Sequence, residues 1–190
     1  MTRLPLPETL GMIFVCEADG TPREQSETAH RLLRGCLPDY AAPRGIACEE
    51  LPAVLRTEMG KPYFAGDHPV QFNLTHCKGL AACLLSDKVC GVDAEPIRPL
   101  RPPVVRRAYS GAEAAALEHS ADPDRLFTRL WTLKEAYVKA IGVGISYPLR
   151  EVSFAFEGDT PVCSIPDAAF WQTEYRGFII SVSVLEKVTE

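Results

Sequence analysis

The stretch from Trp131 to Lys139 restricts what this chain can fold into more than any other part of it. Apolar side chains recur around this stretch at helical spacing and predict an amphipathic helix whose stripe holds Leu126, Leu130, Leu133, Tyr137, Ala140 and Ile141. The opposite side carries Trp131, Glu135, Val138 and Lys139, a mixture that is unusual for a solvent face. We therefore expect this helix to contact other groups on both sides.

Glu135 and Lys139 lie one helical turn apart, so their side chains can touch each other or bind the same ligand. The plain alternative is an exposed ion pair, which stabilises a helix by only a few tenths of a kcal/mol. A second motif upstream decides between the two interpretations.

That second motif is the segment from Val89 to Pro96, which predicts a strand that ends at the proline. Alternate side chains of a strand share a face, so Asp93 and Glu95 point the same way and repel each other unless a cation lies between them. Hard carboxylate oxygens suit magnesium or manganese. Most Asp-x-Glu pairs are solvated, but together with Glu135 this pair predicts a metal site held by Asp93, Glu95 and Glu135.

The two motifs together resemble the paired signature of the 4′-phosphopantetheinyl transferase superfamily, in its surfactin-synthetase-activating, Sfp-like type. The resemblance rests on Gly91-Val92-Asp93-Ala94-Glu95 followed by Trp131-Thr132-Leu133-Lys134-Glu135-Ala136-Tyr137-Val138-Lys139. Three further segments match landmarks of that type in the same order: Ala29-His30-Arg31, Gly60-Lys61-Pro62 and Phe72-Asn73-Leu74-Thr75-His76.

This resemblance implies an α+β chain with the family's pseudo-dimeric fold, in which two similar α+β halves enclose a coenzyme cleft. Residues 1–90 would form the N-terminal half, and residues 91–190 the C-terminal half with the metal site and the signature helix. We expect a monomer, because the two halves already form the pseudo-dimer.

The resemblance also implies a reaction. The family transfers the 4′-phosphopantetheine arm of coenzyme A to a serine of an apo acyl or peptidyl carrier protein and releases adenosine 3′,5′-bisphosphate. Here Mg²⁺ (or Mn²⁺) would hold the pyrophosphate, and Glu135 would be the base for the carrier serine, directly or through water. Lys139 would neutralise or protonate the departing phosphate.

The coenzyme contacts implied by the resemblance fall on Arg31, Lys61, Thr75, His76, Asp93, Lys134 and Lys139. Plainer interpretations stay open for three of these residues: an ordinary exposed arginine for Arg31, a surface turn for Lys61 and a structural imidazole for His76. The chain also departs from the family before the first helix, where longer members carry a basic cluster and this one has mostly acidic residues.

The resemblance implies a carrier protein that is acidic around its acceptor serine, and the run of arginines after Glu95 predicts its landing site on Arg98, Arg101, Arg106 and Arg107. The chain as a whole has a net charge of −5, so a surface that receives an acidic partner must be locally basic. The alternative is that these arginines only keep a proline-rich connector soluble.

The composition restricts the cellular location of the protein and the classes of partner that we expect for it. The seven cysteines form no C-x-x-C pair, which argues against a zinc site or a disulfide framework and for reduced thiols in a cytosol. No apolar run is long enough to span a bilayer, and the acidic balance argues against nucleic-acid binding. We expect a cytoplasmic protein with no membrane or nucleic-acid partner.

Two other functions compete with phosphopantetheine transfer. A metal-dependent nucleotide phosphohydrolase would use the same carboxylates and lysines but no protein acceptor. A catalytically silent carrier-protein binding module would keep the fold and lose the metal. The ordered coenzyme motifs disfavour the first, and the presence of all three acids together with Lys139 disfavours the second.

Local patterns give four further expectations. The first helix should end near Leu37, where Pro38 follows, and a strand should span residues 46–51. The proline-rich segment after Glu95 should be extended. Ser110-x-x-Glu113 should be a capping box, and the signature helix should run from Asp122-Pro123 to Gly142.

Overall fold

The computed structural model describes residues 1–48, 50–144 and 147–186, which form a mixed α+β fold. Its strands are β1 (Thr2–Leu4), β2 (Met12–Cys16), β3 (Val54–Arg56), β4 (Pro62–Phe64), β5 (Gln71–Cys77), β6 (Leu80–Ser86), β7 (Cys90–Pro96), β8 (Phe154–Glu157), β9 (Thr160–Cys163), β10 (Ala168–Tyr175) and β11 (Phe178–Leu185). Its α-helices are α1 (Pro22–Ala41), α2 (Pro102–Ala108), α3 (Gly111–Glu118) and α4 (Pro123–Ile141). The strands alternate with helices in both the first and the second part of the chain, as expected for an α+β protein.

Two antiparallel sheets share one hydrophobic core. The first has the strand order β1-β2-β6-β5 and the second the order β10-β11-β7, while β3-β4 and β8-β9 form separate hairpins. Ile13 and Leu84 of the first sheet pack in the same buried cluster as Val92 and Val182 of the second. Burial of these apolar side chains from water therefore stabilises the contact between the sheets.

Helix α4 covers the face of β7 that points away from this core. Val92 lies in the core, so the alternating neighbours Gly91 and Asp93 face the helix. Gly91 makes the approach possible, because a Cβ atom at this position would lie 2.0 Å from the carbonyl oxygen of Ala136 and 2.4 Å from the backbone nitrogen of Ala140. Strand and helix are therefore in backbone contact beside the two sequence motifs.

Strand β5 of the first sheet lies beside β7 of the second. The backbone N–H of Val92 donates a hydrogen bond to Oδ1 of Asn73 over 3.0 Å, and the Thr75 hydroxyl donates to Oδ1 of Asp93 over 3.2 Å. Asn73, Thr75 and Asp93 are all buried. These side chains thus replace the main-chain ladder that the two strands do not form, and they connect the first part of the chain to the signature motifs.

Helix α1 is longer than the sequence predicts. It continues through Pro38 to Ala41, although proline cannot donate the hydrogen bond that a helix interior needs. Only the last turn follows this proline, and that turn buries Tyr40 in the cluster that also contains Leu37. The apolar burial outweighs the loss of one hydrogen bond.

Two expectations about local structure are wrong. The described residues between 46 and 51 contain no strand, and residue 49 lies outside the description; the hairpin β3-β4 follows instead. The proline-rich segment is not extended throughout, because α2 begins at Pro102. Pro102 and Pro103 occupy the first helical positions, where a missing N–H costs nothing and the fixed φ favours the helix.

The predicted helix boundaries in the second part of the chain are confirmed. The Ser110 hydroxyl accepts from the N–H of Glu113, and the Glu113 carboxylate accepts from the N–H of Ser110. Asp122 caps α4 through the N–H of Arg125, and Gly142 ends the helix with a left-handed φ of 74°. None of the described helices combines the length and the apolar composition that crossing a membrane requires.

We expect Gly91→Ala to destabilise the protein by about 3 kcal/mol, the upper end of the usual overpacking cost, because its methyl group would overlap the backbone of α4. Urea unfolding measures the effect. Gly35→Ala is the matched control: a Cβ atom at this position in α1 meets nothing within 4 Å, so alanine should stabilise the helix by about 0.5–1 kcal/mol. Equal stabilities of the two variants would show that α4 and β7 are not in backbone contact.

Candidate active site between strand β7 and helix α4

Asp93 is the centre of the site. It is 5% exposed, and its Oδ1 accepts hydrogen bonds from the ammonium of Lys139 over 2.6 Å and from the hydroxyl of Thr75 over 3.2 Å. Lys139 also donates to the Thr75 hydroxyl over 3.1 Å. The second oxygen of Asp93, Oδ2, is buried and has no hydrogen-bond partner in the part of the chain that the structure describes. One carboxylate oxygen therefore remains available to a ligand.

Glu95 follows on the same face of β7 and pairs with Arg98. The pKa of Glu95 is raised, first by burial and then by the negative charge of Asp93. Both causes disfavour the charged form of a carboxylate. A further cation at this position would relieve the repulsion between Glu95 and Asp93.

Glu135 projects from α4 toward the same carboxylates. Its pKa is raised by burial and then by the charge of Asp93. Within the described residues, no hydrogen bond or ion pair holds the Glu135 carboxylate. This carboxylate lies between two cavities, of about 300 and about 550 Å³, and lines both of them. It is therefore placed to accept a cation or a proton from a molecule bound in either cavity.

The carboxylates that the sequence predicts as metal ligands are near one another, but their side chains are not arranged around a common metal position. Within residues 1–48, 50–144 and 147–186, no group of three His, Cys, Asp or Glu side chains is arranged to hold a metal ion. Lys139 and Arg98 neutralise Asp93 and Glu95 instead. The donor set still fits a hard cation, because the oxygens are carboxylate oxygens and the buried Oδ2 of Asp93 lacks a partner.

Two lysines line the smaller cavity. Lys139 comes from α4, and Lys61 comes from the turn between β3 and β4, with Gly60 before it and Pro62, the first residue of β4, after it. The ammonium of Lys61 donates to the carbonyl oxygen of Ala140 over 2.6 Å, and burial lowers its pKa. Lys61 thus binds one of the unpaired carbonyl groups at the C-terminal end of α4, a role that the sequence did not predict.

His76 and Arg31 are further from the carboxylates. His76 follows Thr75 on β5 and points to the other face of the strand; its Nδ1 is buried without a hydrogen-bond partner among the described residues. Burial and the charge of Lys139 lower the pKa of His76. Arg31 lies on the exposed side of α1 and donates to the Thr28 hydroxyl over 2.7 Å. No described contact joins Arg31 to Asp93 or Lys139, so its coenzyme role stays a prediction.

The structure does not bring Lys134 to this site, which corrects its assignment as a phosphate contact. Its side chain is fully buried and forms an ion pair with Glu113 of α3 over 2.9 Å. The same ammonium donates to the carbonyl oxygens of Leu149 and Val152. Residues 134 and 135 are neighbours on a helix and point in directions about 100° apart, so only Glu135 faces β7.

Part of the arginine run lies next to the site, at the larger of the two cavities. Arg106 and Arg107 lie on the exposed surface of α2, and Arg107 lines the larger cavity together with Glu135. Apolar and aromatic side chains form the remaining walls of this cavity, including Trp131 and Tyr147. The sequence predicts that Trp131 makes contacts on the second face of the helix. It gives no indication that Tyr147 lines this cavity.

Comparisons with known proteins agree with these motifs. A family model described as the 4′-phosphopantetheinyl transferase superfamily matches residues 89–183, which contain both β7 and α4. A 4′-phosphopantetheinyl transferase of Bacillus subtilis is 31% identical over 148 residues, covering 74% of this chain and 65% of that protein. The 4′-phosphopantetheinyl transferase AcpT of Salmonella typhimurium is 39% identical over 133 residues, covering 58% of this chain and 69% of that protein.

Among solved structures, the holo-[acyl-carrier-protein] synthase of Thermotoga maritima matches with a TM-score of 0.45 and 22% identity, over 52% of this chain and 63% of that chain. The chain spans 65%, 40% and 51% of three of the curated relatives that it matches.

We expect Lys134→Met to destabilise the protein by about 3–5 kcal/mol, because it leaves the buried Glu113 carboxylate without its cation. Adding Glu113→Gln should recover part of this loss, since the amide oxygen can still accept from the N–H of Phe154. Urea unfolding measures both variants. If Lys134→Met instead keeps full stability and only weakens the binding of a phosphate ligand, Lys134 belongs to the site after all.

Proposed function

Because the chain belongs to the 4′-phosphopantetheinyl transferase superfamily, we propose that it transfers the 4′-phosphopantetheine arm of coenzyme A to a serine of an apo acyl or peptidyl carrier protein. The observation that carries this proposal is the meeting of Asp93 with Lys139 beside a cavity that Glu135 also lines. The motif on α4 therefore supplies an acidic and a basic group to one cavity, and the motif on β7 supplies the carboxylate that pairs with the basic group, a combination that suits transfer of a phosphoryl group.

The pseudo-dimeric arrangement is part of the proposal. Residues 1–90 would form one half and residues 91–190 the other, acting together as a monomer. The walls of the smaller cavity support this division, because Lys61 and Leu74 come from the first half and Val138 and Lys139 from the second. A coenzyme bound there would contact both halves.

We assign coenzyme A to this smaller cavity. Lys61 and Lys139 would contact the phosphates in the cavity, where the ammonium groups can offset the charge of the pyrophosphate. The hydroxyl of Thr75 lies next to the ammonium of Lys139. His76 and Arg31 would contact the phosphate of the adenosine moiety. The Nδ1 of His76 supports its assignment, because a buried ring nitrogen without a partner is costly unless a ligand satisfies it.

Mg²⁺ (or Mn²⁺) is the cation that the carboxylates fit best, with Asp93, Glu95 and Glu135 as its protein ligands. When bound, this cation would neutralise the charge that develops on the transferring phosphoryl group. The pKa values of Glu95 and Glu135 are raised first by burial and then by the charge of Asp93, so both groups lie close enough to Asp93 to interact with it, and this closeness supports the assignment.

Glu135 would take the proton of the carrier serine, directly or through a water molecule, as the serine oxygen forms its bond to the phosphorus of the phosphopantetheine group. The bond from that phosphorus to the oxygen of adenosine 3′,5′-bisphosphate breaks in the same reaction. Lys139 would neutralise the departing phosphate or give it a proton. The position of Glu135 supports this role, because it lines both cavities and a serine entering either of them would meet its carboxylate.

The carrier protein would dock on the arginine run of Arg98, Arg101, Arg106 and Arg107. The larger cavity supports this proposal, since Arg107 and Glu135 line it together and a serine entering there would meet the base. Trp131 and Tyr147 add aromatic surface of the kind that dominates protein interfaces. Electrostatic attraction between the arginines and an acidic carrier would speed the encounter.

We also propose a cytoplasmic location. The cysteines Cys16, Cys36, Cys48, Cys77, Cys83, Cys90 and Cys163 are all free thiols in the described structure. Free thiols persist where the compartment is reducing.

Incubation of the protein with coenzyme A, Mg²⁺ and an apo carrier protein should increase the carrier's mass by one phosphopantetheine group. Asp93→Asn should lower this transfer at least about 100-fold, the usual scale for losing a group that stabilises the transition state, while the protein stays folded. Mass spectrometry follows the carrier and circular dichroism the fold. Hydrolysis of coenzyme A with no change in the carrier would identify a phosphohydrolase, and an unmodified carrier that still binds would identify a silent module.

Replacing Arg106 and Arg107 by glutamate should raise the KM for the carrier protein about tenfold and reduce its dependence on salt, because two negative charges then offset the remaining arginines and weaken the net attraction. The KM for coenzyme A should stay unchanged. Arg3→Glu is the control, since this exposed arginine lies on β1 at the far edge of the first sheet. Equal effects on both substrates would exclude α2 as the docking surface.

A further inference from the structure

Lys139 is shared between two functions of the site. Its ammonium is bound to Oδ1 of Asp93, one of the proposed metal ligands, and its side chain also lines the cavity assigned to the coenzyme pyrophosphate. One ammonium cannot neutralise both a buried carboxylate and a phosphate at full strength. The binding of the cation and the binding of the anion must therefore affect each other through this lysine.

The ion pair between Lys139 and Asp93 is strong enough to oppose the binding of a second cation. The nitrogen-to-oxygen distance is 2.6 Å, and the side chain of Asp93 is only 7% exposed, compared with 30% for that of Lys139. Attraction between charges is much stronger in such a poorly hydrated position than at the surface. A divalent cation that approaches Asp93 meets an ammonium already bound there, and the two positive charges repel each other.

The other cations near the site cannot take over this role. The ammonium of Lys61 donates to the carbonyl oxygen of Ala140 at the end of α4, and Arg98 pairs with Glu95. The pair between Arg98 and Glu95 is also more hydrated, because the side chain of Arg98 is 54% exposed. Among the described residues, Lys139 is thus the cation that both pairs with a buried carboxylate and lines the cavity assigned to the pyrophosphate.

We propose that Lys139 is an internal counter-ion that couples the two ligands of the site. In the free protein it occupies Asp93 and keeps the affinity for a divalent cation low. A pyrophosphate in the cavity draws the ammonium away from Oδ1 of Asp93, and the positive charge that opposes the binding of a metal to this carboxylate is then removed. This inference rests on the proposed function, because it uses the coenzyme cavity and the metal ligands assigned there.

The coupling has a reciprocal consequence. If coenzyme A raises the affinity for the cation by some factor, the cation must raise the affinity for coenzyme A by the same factor. Direct contact between metal and pyrophosphate would contribute to this factor in any variant. The contribution of Lys139 to the coupling is therefore the difference between the factor measured for the wild-type protein and the factor measured for a variant that lacks the charge of Lys139.

Titration with Mn²⁺, followed by the electron paramagnetic resonance signal of the free ion, measures this contribution without any turnover. Without coenzyme A, Lys139→Met should bind Mn²⁺ about tenfold more tightly than the wild type, a typical coupling between ligands. In the presence of saturating coenzyme A, the variant should bind Mn²⁺ no more tightly than the wild type. Lys139→Gln, which keeps a hydrogen-bond donor toward Asp93 and Thr75, should behave in the same way and serves as a second variant if methionine impairs folding. Lys88→Met, in the turn before β7 at the end remote from Asp93, should bind Mn²⁺ as the wild type does.

The outcomes separate the inference from the function on which it rests. If the wild type binds both Mn²⁺ and coenzyme A, but both Lys139 variants bind Mn²⁺ no more tightly than the wild type, the counter-ion role is wrong and the proposed function stands. If the wild type binds neither ligand at millimolar concentration, the proposed function fails and the counter-ion role fails with it.

Discussion

The rest of the site depends on the close packing of α4 against β7 at Gly91. Without a side chain at this position, the backbones of helix and strand come into contact, and Asp93 is placed against Lys139. This partly buried ion pair in turn shapes the chemistry around it. Burial and the charge of its negative partner together raise the pKa values of Glu95 and Glu135, and its positive partner lines the cavity where an anion can bind.

The opposite side of α4 is held by a second ion pair, between Lys134 and Glu113, and this one is fully buried. Glu113 also caps α3 and accepts from the N–H of Phe154, so one carboxylate joins three segments of the second part of the chain. A buried ion pair is costly to break, because either partner alone would leave an unpaired charge in the interior. Helix α4 is therefore fixed on both faces, which keeps Glu135 in position between its two cavities.

Local features of the sequence were enough to predict the boundaries of α4, the capping box of α3 and the strand that carries Asp93 and Glu95. Each of these depends on a cap, a turn or an alternation within a few residues. The errors have tertiary causes. Helix α1 passes Pro38 because Tyr40 is buried, and Lys134 is a structural cation because Glu113, distant in sequence, faces it. The contact of Lys61 with the end of α4 joins residues 79 positions apart, which no local pattern shows.

The most direct test of the site is crystallographic. Crystals grown with Mn²⁺ and coenzyme A would be measured at the manganese absorption edge, where anomalous scattering locates the ion without ambiguity. A single anomalous peak bound by Asp93, Glu95 and Glu135 is expected, with the pyrophosphate in the cavity of Lys61 and Lys139. An ion bound away from β7 and α4, or a coenzyme outside that cavity, would contradict the assignment of this site.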